Sequence, residues 1–116
     1  KVYTYLNFAG ITFEGDQVDA GEMTHFHMDV WAPEGTEFKV KLVDFGEDGA
    51  PGGAPDYDSE LTFNAGTTPA FVAGQWSSLE IPMADFALVT DEHIAQLVIS
   101  SSNVSTAIVD NVYFHK

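Results

Sequence analysis

Four side chains able to engage a ligand stand at alternate positions in one short stretch: His25, His27, Asp29 and Trp31. Alternate residues of an extended chain share a face at a spacing of about 7 Å. Two imidazoles so placed could hold a zinc or iron ion. His93 and His115 could complete such a site only if the fold carried them there. The same residues can instead line a polar platform with an aromatic ring at its edge. A second set runs from Asp44 through Glu47 and Asp48, with Asp56 and Asp58 beyond. It offers the hard oxygen donors that calcium takes in groups of about six to eight. Enzymes of nucleophilic or phosphoryl-transfer type leave no signature: there is no cysteine, no Gly-x-Ser-x-Gly and no phosphate loop. With 18 acidic residues, some carboxylate pair must exist, so such a pair by itself decides nothing.

The element that must position the first set is Thr24 to Phe45, THFHMDVWAPEGTEFKVKLVDF. It alternates polar and apolar, breaks at residues 32–36, and alternates again, which is the pattern of strands with one buried face. Pro33 and Gly35 supply turn chemistry between them. The pattern predicts a hairpin pairing Trp31 with Glu37, Asp29 with Lys39, His27 with Lys41 and His25 with Val43. The intervening pairs are Val30 with Phe38, Met28 with Val40 and Phe26 with Leu42. A slip of one residue would turn the whole apolar side to water. The even side is therefore core, and the odd side joins His25, His27, Asp29, Trp31, Lys39 and Lys41 on one solvent face. The chain has four lysines and no arginine, and two of the lysines are residues 1 and 116. Both internal strong cations thus fall on this predicted face. Asp44 has core-facing parity, so it is expected to be paired, metal-bound or at the strand end.

Elsewhere, residues 2–8 and 10–14 read as strands with Gly10 as a kink. Residues 46–60 hold four glycines and two prolines and read as a long irregular loop, of the kind that carries function. Residues 60–64 and 76–82 read as strands with Leu61, Phe63, Leu79 and Ile81 inward, and Pro82 to Phe86 as a short turn or helical tail. Thr90-Asp91-Glu92 reads as the cap of a helix of about two turns. Gln96, Val98 and Ser100 share one face of the strand that follows, and residues 105–115 read as a central strand. About eight strands with little helix predict an all-β, two-sheet antiparallel sandwich, one domain over residues 1–116. The formal net charge of -14 argues against nucleic acid, which needs a basic stripe. It also disfavours anionic membranes and polyanions. No apolar run is long enough to insert in a membrane. The chain opens at Lys1 in strand-like sequence, which suggests a module excised from a longer protein. Asn103-Val104-Ser105 has the form of a glycosylation sequon.

Three stretches, GQWSSLEIPMADF at 74–86, IVDNVYF at 108–114 and THFHMDVW through FKVKLVDFG at 24–46, carry a family likeness. Together they resemble jelly-roll carbohydrate-binding modules of the galactose-binding-like type, with families 4, 11 and 22 nearest. The module beside laminarinase-like glycoside hydrolases in secreted proteins of Bacteroidetes is the most similar. The resemblance covers most of the chain. It implies a non-catalytic jelly roll that binds polysaccharide outside the cell or at its surface, joined to a catalytic or surface domain. It implies a structural place for Trp76 and groove positions for Trp31, Lys39 and Lys41. His25, His27, Asp29 and Gln96 join these as partners for sugar hydroxyls. It also implies that Asp110 is a ligand of a structural calcium, with Asp44 and Asp48 as candidate partners. Because the net charge repels anionic polymers, the expected ligand is a neutral β-glucan such as laminarin. The alternatives are a small catalytic jelly roll, either a lyase or a metal-dependent enzyme of the cupin kind, and a structural or adhesive module between domains. The cupin pattern wants a glutamate where Trp31 and Ala32 stand.

Overall fold

The alternation is realised as eight strands: β1 (Val2–Thr4), β2 (Phe8–Thr12), β3 (His25–Trp31), β4 (Phe38–Asp44), β5 (Tyr57–Phe63), β6 (Trp76–Pro82), β7 (Ile94–Ser100) and β8 (Thr106–His115). This computed structural model describes residues 1–4, 7–13, 17–46, 57–88 and 91–116. The strands form two antiparallel sheets of four, in the orders β1-β8-β3-β6 and β2-β7-β4-β5. They pack face to face as a jelly-roll sandwich. The one helical element among the described residues is a 3₁₀ turn at Met83–Asp85, which closes β6 where Pro82 ends its pairing.

The core lies between the sheets. From β3 it takes Phe26, Met28 and Val30, and from β4 Phe38, Val40 and Leu42, each no more than 1% exposed. Leu79 and Ile81 of β6 and Ile99 of β7 complete its centre. The even-side parity predicted for Thr24–Phe45 therefore holds, but the pairing does not. β3 pairs with β6 and β8, whereas β4 pairs with β5 and β7. The two strands face each other across the core instead of lying side by side. Alternation requires only that one face be buried, and two apolar rows are buried equally well as neighbours or as opposites. The connecting loop decides. Asn103 Oδ1 accepts from the Thr36 and Glu37 amides at 3.0 and 3.4 Å, and its Nδ2 donates to Thr36 Oγ1 at 2.7 Å. Ser101 Oγ donates to the Glu37 carbonyl at 2.7 Å. The loop is thus braced against residues 101–103 as it crosses from one sheet to the other. Both ends of the Asn103 amide are engaged, so the sequon pattern marks a bracing residue.

Three other expectations are corrected. The break near the N-terminus falls before Phe8, not at Gly10, because β1 and β2 belong to different sheets; Gly10 sits mid-strand opposite Val98. The helix expected after Thr90 is absent among the described residues. The His93 amide donates to Asp44 Oδ2 at 2.9 Å, and Val18 and Ile94 exchange backbone bonds, so the chain enters β7 extended. β5 starts at Tyr57, inside the stretch read as loop.

Candidate functional site

The divergence of β3 and β4 splits the predicted platform between two outer faces. His25, His27, Asp29 and Trp31 lie on the outside of the first sheet; Lys39, Lys41 and Gln96 lie on the outside of the second.

The first face is a ladder of cross-strand rows. At one end Val2, Ile108, Trp31 and Trp76 line up across all four strands. Trp76 is 53% exposed, so the structural role expected for it is not that of a core residue. The next row is Asp110, Asp29 and Ser78, then Tyr113, His27 and Glu80, then His115, His25 and Pro82. Between Asp110 and Tyr113 the register of β8 shifts, and Asn111 adopts φ 51°, a left-handed conformation that asparagine tolerates. The bulge turns the Asn111 amide toward Asp29, where Nδ2 donates to Oδ2 at 2.8 Å.

The polar groups of this face are engaged with one another. His27, 8% exposed, lies between two carboxylates, with Nε2 2.9 Å from Asp29 Oδ1 and Nδ1 3.3 Å from Glu80 Oε2. Its ring stacks on Tyr113 at 4.9 Å. His115 Nε2 donates to Glu80 Oε1 at 2.5 Å, and the His115 ring stacks on His25 at 5.1 Å. Burial pushes the Asp29 carboxyl up, but hydrogen bonds from Asn111, Ser78 and His27 outweigh it and hold the group below its ordinary value. The bond from His115 holds Glu80 low, and the same bond holds His115 high.

The second face is built differently. Its rows are Phe8, Ser100, Lys39 and Thr62; Gly10, Val98, Lys41 and Glu60; and Thr12, Gln96, Val43 and Asp58. Phe8 is 67% exposed, and its ring edge comes within 3.8 Å of where a side chain at Gly10 would begin. The ring therefore leans along the sheet over the space that glycine leaves. A polar hollow of about 200 Å³ lies at this end, lined by Asn7, Lys39, Ser100, Ser101 and Ser102. Lys39 makes no ion pair among the described residues, Lys41 stands 3.9 Å from Asp58, and Gln96 donates to Thr12 Oγ1 at 2.9 Å. Sequence reasoning missed Phe8, because the strand was read through from residue 2 and its exposed parity was not separable.

Two of the three aspartates expected to hold calcium, Asp44 and Asp110, do not come together. Asp44 is buried at the end of β4, where Oδ1 accepts from the Gly46 amide at 2.7 Å and Oδ2 from the His93 amide at 2.9 Å. Those amides already answer the question its parity raised. Asp110 is exposed on the outside of the other sheet, with Oδ1 accepting from the Asn111 amide. Asp48 lies outside the described residues. An apolar cleft of about 330 Å³ also opens between the sheets beside Val112 and Phe114. It is lined almost wholly by hydrocarbon, which gives a hydroxylated ligand nothing to orient it.

No family model and no curated protein matches this chain. Solved structures do. A family 11 carbohydrate-binding module from Clostridium thermocellum, in complex with a β-1,3-1,4-mixed-linked tetrasaccharide, superposes with TM-score 0.65 at 14% identity, over 98% of this chain and 72% of that one. A family 30 carbohydrate-binding module gives 0.66 at 15% identity, over 93% and 58%. The family 11 module of a cellulosomal cellulase of Clostridium thermocellum gives 0.63 at 12%, over 98% and 71%. The chain shares their fold. No helix among the described residues is long and apolar enough to cross a membrane.

Proposed function

We propose that this chain is a non-catalytic carbohydrate-binding module whose polysaccharide ligand lies across the outer face of the second sheet. The observation that carries this reading is the contrast in occupied polar groups. On the first face Asp29, Glu80, His27 and His115 are taken up by one another. On the second, Lys39 and Ser100 stand open beside an exposed aromatic ring, although Ser101 and Ser102 already bond Glu37. The Phe8 ring and Val98 supply an apolar floor for a pyranose, while Lys39, Lys41, Gln96, Ser100 and Thr12 supply donors and acceptors for hydroxyls. Lys39 and Lys41 are matched on this face by Asp58 and Glu60, so the face carries no excess charge, which suits a neutral polymer. A β-glucan such as laminarin is therefore the proposed ligand. The mixed-linkage β-glucan bound by the family 11 module of the same fold supports that class. The reading extends to an extracellular or cell-surface location and a linked catalytic or surface domain. A structural calcium, if part of this function, would rest on Asp44 and the acidic loop after it, without Asp110. Its test is a melting temperature that falls with chelator and recovers with calcium.

A glycan array probed with the chain, with product analysis of each bound polysaccharide, tests the function. Binding to neutral β-glucans with no shortened products supports the reading; products from any of them would make it an enzyme. Failure to bind any glycan would favour a structural or adhesive module.

A second reading places the sugar on the first face, and one observation favours it: Trp31 and Trp76 stand side by side across β3 and β6. Adjacent indoles are strong stacking platforms.

A further inference from the structure

We propose that His25, His115 and Glu80 form a binding site for a divalent transition metal, zinc being the best fit, at the end of the first sheet. The inference is independent of where, or whether, sugar binds. The three residues come from three adjacent strands, β3, β8 and β6. One ligand atom from each lies within 4.8 Å of the other two. Two imidazoles and a carboxylate are a donor set that zinc takes in sites with three protein ligands, leaving the fourth position open to water. Calcium is a poor match, because it wants more oxygen ligands and few nitrogens. Zinc bonds of about 2.0–2.1 Å in a tetrahedron set ligand atoms about 3.3 Å apart. Closing the present spread takes a turn of the His25 and His115 rings out of their near-parallel stacking and toward Glu80.

The surroundings have the features of a second layer around a metal site. Thr24 Oγ1 lies 2.8 Å from His25 Nδ1, which fixes that ring and leaves Nε2 for the metal. The other oxygen of Glu80 meets His27, whose far nitrogen meets Asp29, which is held in turn by Asn111. Such outer partners orient ligands and raise their basicity. The short contact between His115 Nε2 and Glu80 Oε1 marks where the ion would enter: it replaces the proton those two atoms share. The local field also favours a cation, since Asp29, Glu80 and Asp110 share the face, and the ammonium of Lys116, next to His115, is drawn to Glu22 at 3.7 Å.

The location gives the ion a structural task. Among the described residues β3 pairs with β8 as far as His115, and β6 lies on the other side of β3. A metal joining His115 to His25 and Glu80 would clasp that end onto two strands.

The test is titration of tag-free, metal-stripped protein with zinc chloride, followed by calorimetry and by melting temperature. The expected result is one ion per chain and a rise in melting temperature that calcium and magnesium chloride do not produce. His25→Ala and His115→Ala should each weaken binding by about 100-fold or more, since even an outer partner of a metal ligand is worth about 10- to 100-fold. His93→Ala should change nothing. Should a variant fold poorly, the wild-type imidazole signals in NMR decide: those of His25 and His115 shift with zinc and those of His93 do not. Absence of saturable binding, or binding that survives both substitutions or leaves both signals in place, overturns the site.

Discussion

On the first sheet Asp29 is held by His27 and Asn111, and Glu80 by His27 and His115; on the second, Lys39 and Ser100 stand in a hollow beside an exposed Phe8. Both faces have residue types that bind sugars, so composition does not separate them. The difference is what each polar group must give up. A ligand on the first face has to displace hydrogen bonds already made, and a displaced group left unpaired costs about 1–3 kcal/mol. A ligand that meets Lys39 and Ser100 on the second replaces mainly water, and at Gln96 and Thr12 it must displace a bond. Counting candidate residues thus says less about a binding face than asking which of them are already satisfied.

The largest effect is expected where the two faces are kept apart. Gly35 has φ 109°, and a side chain there would run into Val104 and the Asn103 carbonyl. Gly35→Ala should destabilise the fold by about 3 kcal/mol, from overpacking together with left-handed strain. Urea denaturation measures it. A loss under about 0.5 kcal/mol, typical of an ordinary surface change, would mean the crossing loop is not locked.

Next is the closed face itself. His27→Ala removes the group shared by Asp29 and Glu80 and should cost roughly 2 kcal/mol of stability, with laminarin affinity unchanged. The opposite pattern, full stability with weakened binding, would move the site to the first sheet.

The open face makes a smaller prediction. Affinity for laminarin should vary by less than about twofold between about 0.05 and 0.5 M salt, because a neutral polymer offers no charge to screen. A steep fall, with tight binding to alginate or carrageenan that Lys39→Ala abolishes, would show that the lysines grip an anion.

The smallest effect concerns Asp29. Its folded carboxyl is held low, so it adds stability above its unfolded value, near pH 3.9. That contribution is lost as the pH falls through the folded value. Asn111→Gly keeps the backbone at positive φ and removes one of the bonds. The Asp29 titration followed by NMR should then move up toward the ordinary range. An unmoved midpoint would show that Asn111 does not hold the carboxylate.

Which of these features the sequence revealed depends on the range of the interaction behind it. The parity of Phe26, Met28, Val30, Phe38, Val40 and Leu42 was legible, because burial of one face is written residue by residue. So were the sandwich class, the strand at Trp76–Pro82 and the turn after it. The partner of β3 was not legible: Asn103 and Ser101, which brace the crossing, lie more than sixty residues away. That one ambiguity put Lys39 and Lys41 beside His27 and Asp29 when the fold sends them to opposite sides. It also hid the meeting of His25 with His115, which needs β3 and β8 to be neighbours. The expected helix near Thr90 failed for the same reason, since a cap pattern is local and the bonds from His93 to Asp44 and Ile94 to Val18 are not.

The most direct test of the open face is calorimetric titration of laminarin into three folded proteins: the wild type, the pair Phe8→Ala/Lys39→Ala, and the pair Trp31→Ala/Trp76→Ala. The account predicts that the first pair loses about 2 kcal/mol or more of binding, as at other interface anchors, while the tryptophan pair binds like the wild type. Loss of binding in the tryptophan pair, with Phe8→Ala/Lys39→Ala unaffected, would contradict it.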